Sequence, residues 1–205
     1  MNKVVFLLFI FFCQSGFSQS GQISKEEFLN EIFNQVADSN FSKFYLIHEA
    51  SPCSFKRYDY GEWVKYGLKE NITIDILNEL AKKSYLDTST NNWNQDGLTK
   101  AICIERKQAS AILDSANDME RKEAVAKGKK KKIIREELNE WNKKPPEEKL
   151  VFYFSKPEFT DDLQYAVINV VYRCDDKACG MGATYLFSRT DHDWKVAGKM
   201  ISWGN

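Results

Sequence analysis

The last forty residues constrain the fold more than any other part of the chain. "LQYAVINVVYRC" alternates, placing Ala166, Ile168, Val170 and Tyr172 on one face. "MGATYLFSR" does the same with Met181, Ala183, Tyr185 and Phe187, and "DWKVAGKMISW" with Trp194, Val196 and Met200 inward and Lys195 and Lys199 outward. Apolar residues at every second position describe a strand with one buried face. Three such segments joined by "DDKA" and "TDHD" are too closely linked for crossover connections, so they predict an antiparallel meander. "LVFYFSKPEF" just upstream adds a further apolar strand.

The preceding residues have helical periodicity instead. In "SKEEFLNEIFNQVA", Ser24 and Glu27 form a capping box, and Phe28, Ile32 and Val36 share a face. "TIDILNELAKKS" is a second helix with Thr73 as its cap. A short strand is expected in "KFYLIHEA", a short helix around residues 63–68, a polar loop in "LDTSTNNWNQDG" and a brief apolar run in "AICIE". Residues 107–144 are helical in pattern, and as one rod residues 109–142 would extend about 50 Å. A compact domain of this size is only about 40 Å across. The rod is therefore expected to overhang or to break at Gly128, and the break is favoured. Pro145 and Pro146 end the helical region. Helices first (22–144) and strands last (150–203) make one α+β domain, residues 19–205, with N-terminal helices and a helical hairpin packed on the meander. A curved sheet of the nuclear-transport-factor-like kind fits this layout by analogy of fold.

Residues 1–18 are expected to leave the protein. Lys3, the apolar run 4–13 and the small residues Gly16 and Ser18 form a secretory signal with a cut before Gln19. Cys13 follows Phe12, which does not suit lipid attachment. The reading is thus a soluble secreted or periplasmic protein, with no later apolar stretch of transmembrane length. Its formal charge, zero over the whole chain and about −1 without Lys3, supplies no field to attract nucleic acid. Partners and oligomeric state stay unknown at this level, and no cofactor is called for.

Export leaves four cysteines, an even number that favours disulfides. Cys174 and Cys179 flank a hairpin loop, where facing Cα atoms approach within disulfide range. That predicts a Cys174–Cys179 bridge and leaves Cys53 to pair with Cys103. Asp175 and Asp176 suit the turn, and Gly180 and Gly182 suit a bulge or a positive φ.

The tail pattern Ser155-Lys156-Pro157-Glu158-Phe159, then Cys174…Cys179-Gly180-x-Gly182, then Trp194-Lys195-Val196 and Trp203, resembles that of a group of uncharacterised secreted proteins, in which the cysteine spacing is often shorter. The resemblance covers about the last third of the chain. It implies export and a β-rich C-terminus, and it brings no activity.

Three functional readings remain open. The leading one is a non-catalytic binding domain. The second is a hydrolase with Cys53 as nucleophile and His48 or His192 as base, which requires an accessible thiolate. The third is an interaction protein docking on an anionic polymer or lipid through Lys127, Lys129, Lys130, Lys131 and Lys132. Against the third, Glu123, Glu136, Glu137 and Glu140 could balance the lysines, with Glu123 and Lys127 at i,i+4. "TDHD" and "CDDKAC" lack the paired spacing of a zinc site, so no metal is expected.

Overall fold

The structure is a computed structural model, and it describes residues 23–37, 41–55, 60–65, 67–69, 71–175, 179–191 and 193–204. The proposed signal sequence and His192 lie outside the described residues.

The chain folds as α+β, with helices on both faces of one mixed seven-stranded sheet. The first helix, α1 (Lys25–Val36), starts at the expected capping box: Glu27 N–H donates to Ser24 Oγ at 3.1 Å, and Ser24 N–H to Glu27 Oε2 at 3.0 Å. It is followed by β1 (Phe44–Ile47), β2 (Glu49–Ala50), α2 (Tyr60–Lys65) and α3 (Ile74–Leu86), the last capped by Thr73. Next come β3 (Asn91–Asn92), which pairs with β2, and β4 (Ala101–Ile104).

The helical stretch is broken twice, giving α4 (Arg106–Leu113), α5 (Ser115–Val125) and α6 (Gly128–Lys143). The break between α5 and α6 falls at Gly128, whose φ of +56° is a left-handed conformation that suits glycine. The strands β5 (Leu150–Phe154), β6 (Glu158–Phe159), β7 (Tyr165–Cys174), β8 (Gly180–Thr190) and β9 (Asp193–Gly204) complete the chain.

The sheet order is β4-β1-β5-β7-β8-β9, with β6 also on β7. The C-terminal meander is antiparallel, but β1 runs parallel to both β4 and β5. The N-terminal half therefore extends the sheet, where the sequence reading had only the C-terminal strands building it. Short runs such as "FYLI" and "AICI" carry no mark of which strand they will pair with.

Side-chain alternation divides the core. Phe44, Leu46, Phe152, Phe154, Ala166, Ile168, Val170, Tyr185, Phe187 and Trp194 face α1. The centroid of Phe28 in α1 sits 5.1 Å from Trp194 and 5.5 Å from Phe187, both edge-on. The opposite face is covered by α2 and α3 over Val167, Leu186, Ala197 and Met200, and by α4 over Ile47, Ile104 and Val151.

Met200 is thus on the other face from Trp194, a correction to the strict alternation expected along "DWKVAGKMISW". A bulge is the cause: Leu186 pairs with Gly198 but Phe187 with Val196, so Ala197 is an extra residue and the alternation inverts beyond it. Lys195 is exposed as expected. Lys199 lies half-buried, its Nζ 5.1 Å from the centre of the Tyr185 ring.

The outer edge of β9 is partly occupied by α1. Trp194 N–H donates to Glu31 Oε1 at 2.5 Å, Gln35 Nε2 donates to Trp194 O at 2.6 Å, and Val196 N–H donates to Gln35 Oε1 at 3.1 Å. Side chains thereby satisfy backbone groups that would otherwise invite another strand.

Candidate functional site

Site building begins where the β-ladder fails. Phe154 pairs with Val170 and Glu158 with Val167, so four steps on one strand match three on the other. Ser155, Lys156 and Pro157 form the resulting bulge. Pro157 cannot donate to a ladder and is tolerated at such a break. Ser155 bridges the gap, its N–H donating to Asn169 O at 3.0 Å and its Oγ accepting from Asn169 N–H at 2.9 Å. Lys156 N–H donates outward to Ser51 O at 2.8 Å.

The bulge aims the Lys156 side chain at the C-terminal end of α3. The side chain is only 10% exposed, and its ammonium pairs with the Asp87 carboxylate and donates to Ser89 Oγ at 2.9 Å. The hydrogen bond from Lys156, with that from Ser89, holds the Asp87 carboxyl down to about 2. Glu158, two residues on, is pushed the other way. Burial raises its carboxyl and the negative charge of Asp87 adds to this, while Lys156 and Lys83 partly oppose it. Glu158 Oε1 is buried and has no hydrogen-bond partner among the described residues.

These groups line a groove of about 610 Å³ with Ser24, Lys25, Lys83 and Asp161. Lys83 Nζ closes one wall, 2.5 Å from Asp161 Oδ1 and 2.8 Å from Phe159 O. Phe159 also lines the groove, and its ring packs edge-on against Phe28 at 5.1 Å. Sequence reasoning assigned no role to Asp87, Lys83, Lys156 or Glu158. The available signal was Pro157 inside an otherwise apolar run, which marks a bulge.

The cysteines separate into two kinds. Cys174 and Cys179 form a disulfide with Cα atoms 5.7 Å apart. Cys53 and Cys103 are free, so the expected bridge between them does not form. Cys53 belongs to the cluster under α2 and α3, whereas Cys103 packs at the edge of the α1 face, so the sheet lies between them. Cys53 is 2% exposed, and burial pushes its thiol up to about 12. Burial also raises the Cys103 thiol, with Glu26 adding to it. His48 lies in the link between β1 and β2, where its Nδ1 is 3.5 Å from Glu105 Oε1. A hydrolase built on Cys53 would thus start from a sealed, protonated thiol.

Asp175, expected as a turn residue, is buried. One carboxylate oxygen accepts from Ala116 N–H in the first turn of α5 at 3.0 Å, and the other accepts from Trp141 Nε1 of α6. The stapled turn therefore clasps both helices of the α5–α6 hairpin. A second cleft, of about 660 Å³, opens beside this clasp, and its lining mixes polar groups such as Asn117, Glu120 and Lys149 with apolar ones such as Ala116 and Leu150.

Among the described residues no group of three His, Cys, Asp or Glu side chains could hold a metal ion, and no helix is long and apolar enough to cross a membrane. The five lysines of the cluster sit at the turn between α5 and α6, away from both cavities. No protein-family model matches the chain, and neither a curated protein nor a solved structure matches it.

Proposed function

We propose that this protein is an exported, non-catalytic binding domain whose ligand seats in the groove at residues 156–161. The disulfide and the signal-like residues 1–18 support export. The observation that carries the binding reading is the pair of the buried Lys156 with the half-buried Asp87 beside Glu158, whose Oε1 lacks a partner among the described residues. Buried polar atoms are ordinarily satisfied, and Glu158 is among the residues that line the groove, so a ligand bringing a donor would supply the missing partner. The expected ligand is a small polar molecule carrying an ammonium group. Lys83 and Asp161 at the rim suit a molecule bearing both signs of charge.

The test is chemical-shift mapping of the mature protein with free amino acids, short diamines and amino sugars. Binding should perturb Lys83, Asp87 and residues 156–161, and Glu158→Gln should abolish the perturbation. A panel that shifts no resonance there, or binding unaffected by Glu158→Gln, would overturn the proposal.

A further inference from the structure

The α5–α6 hairpin has a chemical polarity that its own packing does not use. No residue of α5 is buried, and in α6 only Ile134 is. The hairpin is tied to the body at its base by Asp175, and its far end carries the turn at residues 126–128. Residues 124–135 contain five lysines, one arginine and no acidic residue.

Among the described residues only Glu136 pairs with one of the five lysines. Glu123 was expected to pair with Lys127, but α5 ends at Val125, so the two are not one helical turn apart. Glu123 instead pairs with Arg135 across the hairpin at 2.7 Å. Asp118 pairs with Lys122 at 2.5 Å, and Glu136 lies 3.9 Å from Lys132. Lys127, Lys129, Lys130 and Lys131 make no ion pair among the described residues, and three of the four are exposed, Lys131 being half-buried. Glu137 adds to the field on Lys122.

Helix energetics do not account for the lysines. Lys129, Lys130 and Lys131 occupy the first turn of α6, where the positive end of the helix dipole repels them, and no acidic residue offsets it. The tip is also apolar in places. Val125 is 81% exposed and Ile133 45% exposed, on either side of the lysines.

We propose that the hairpin tip docks on an anionic lipid surface, with the lysines against the headgroups and Val125 entering the interfacial layer. Basic residues flanking an exposed aliphatic side chain match both the charge and the apolar layer of such a surface. An anionic polysaccharide would answer only the lysines.

Co-sedimentation with vesicles tests this, comparing phosphatidylglycerol–phosphatidylcholine mixtures with phosphatidylcholine alone. The expected result is binding that requires the anionic lipid and weakens with salt. Each lysine near such a surface contributes about fivefold. Replacing Lys127, Lys129, Lys130 and Lys131 together by Gln should therefore weaken binding at least about a hundredfold. Val125→Ser should weaken it while leaving retention on heparin unchanged. All five positions are solvent-facing or at the tip, and an unchanged circular dichroism melt verifies folding. Absence of vesicle binding, binding indifferent to the anionic lipid, or retention on heparin without vesicle binding would each overturn the proposal.

Discussion

Replacing Asp175 by alanine removes the one carboxylate that holds the α5–α6 hairpin to the sheet. It takes away acceptors for Ala116 N–H at 3.0 Å and for Trp141 Nε1. A hydrogen bond to a charged group contributes about 1.5–3 kcal/mol net. The two share one carboxylate, and both donors are half-buried and partly regain water, so the expected loss is about 2–4 kcal/mol. Because α5 buries no residue, that loss should appear as local opening of the hairpin rather than as global unfolding.

Hydrogen exchange followed by mass spectrometry reads it directly. Protection across residues 115–143 should fall by about 30- to 900-fold, at about 1.4 kcal/mol per factor of ten. Peptides from β7 and β8 should be unchanged. Trp141→Phe removes only one of the two bonds and should give a smaller loss. Unchanged exchange over residues 115–143, or an equal loss in the sheet, would refute the clasp.

Four further outcomes are expected. Gly182→Ala should destabilise the protein by about 1–3 kcal/mol, because a Cβ there would lie 2.3 Å from Trp203 Nε1; denaturant melts should show the cost largely relieved when Trp203→Ala is added. Asp87 has its carboxyl lowered from 3.8 to about 2, so its contribution is complete above about pH 4 and is lost as pH falls toward 2. Glu158 is raised above its ordinary 4.5, so it has the opposite sign: Glu158→Gln should gain stability relative to wild type as pH rises above that value, and melts across pH 3–8 should show no such gain if the carboxyl is solvated. Trp194→Ala should cost about 3–5 kcal/mol and Lys195→Ala under about 0.5 kcal/mol, and comparable losses at the two positions would contradict the strand orientation.

The capping box at Ser24 and the alternating faces of β7 and β8 were readable because each depends on residues close in sequence. The free state of Cys53 was not, because it depends on which face of the sheet each cysteine reaches. Parity of cysteine number says nothing about that. Met200 was misplaced for a related reason. A bulge is set by cross-strand register, and Ala197 carries no local mark of being the extra residue. In the candidate groove, Lys156 and Glu158 were visible as charges interrupting an apolar stretch. Asp87, the partner of Lys156, is 69 residues away from it, beyond any periodicity.

The two anchoring charges also bear on which ligand the groove can take. Lys156 lies where a strand ladder is interrupted and Asp175 just past the end of β7, and each ties a helix end to the sheet. A ligand that offered an anion to Lys156 would have to displace Asp87, leaving a carboxylate without its ammonium and loosening the end of α3. Leaving a buried ammonium without its carboxylate partner is costly. A ligand that offered a donor to Glu158 would leave the Lys156–Asp87 pair intact and would satisfy an acceptor whose burial already opposes its charge. The same geometry that fixes the helix to the sheet therefore favours an ammonium-bearing ligand over an anionic one, and Lys156→Met should weaken the fold more than it weakens recognition of the ammonium.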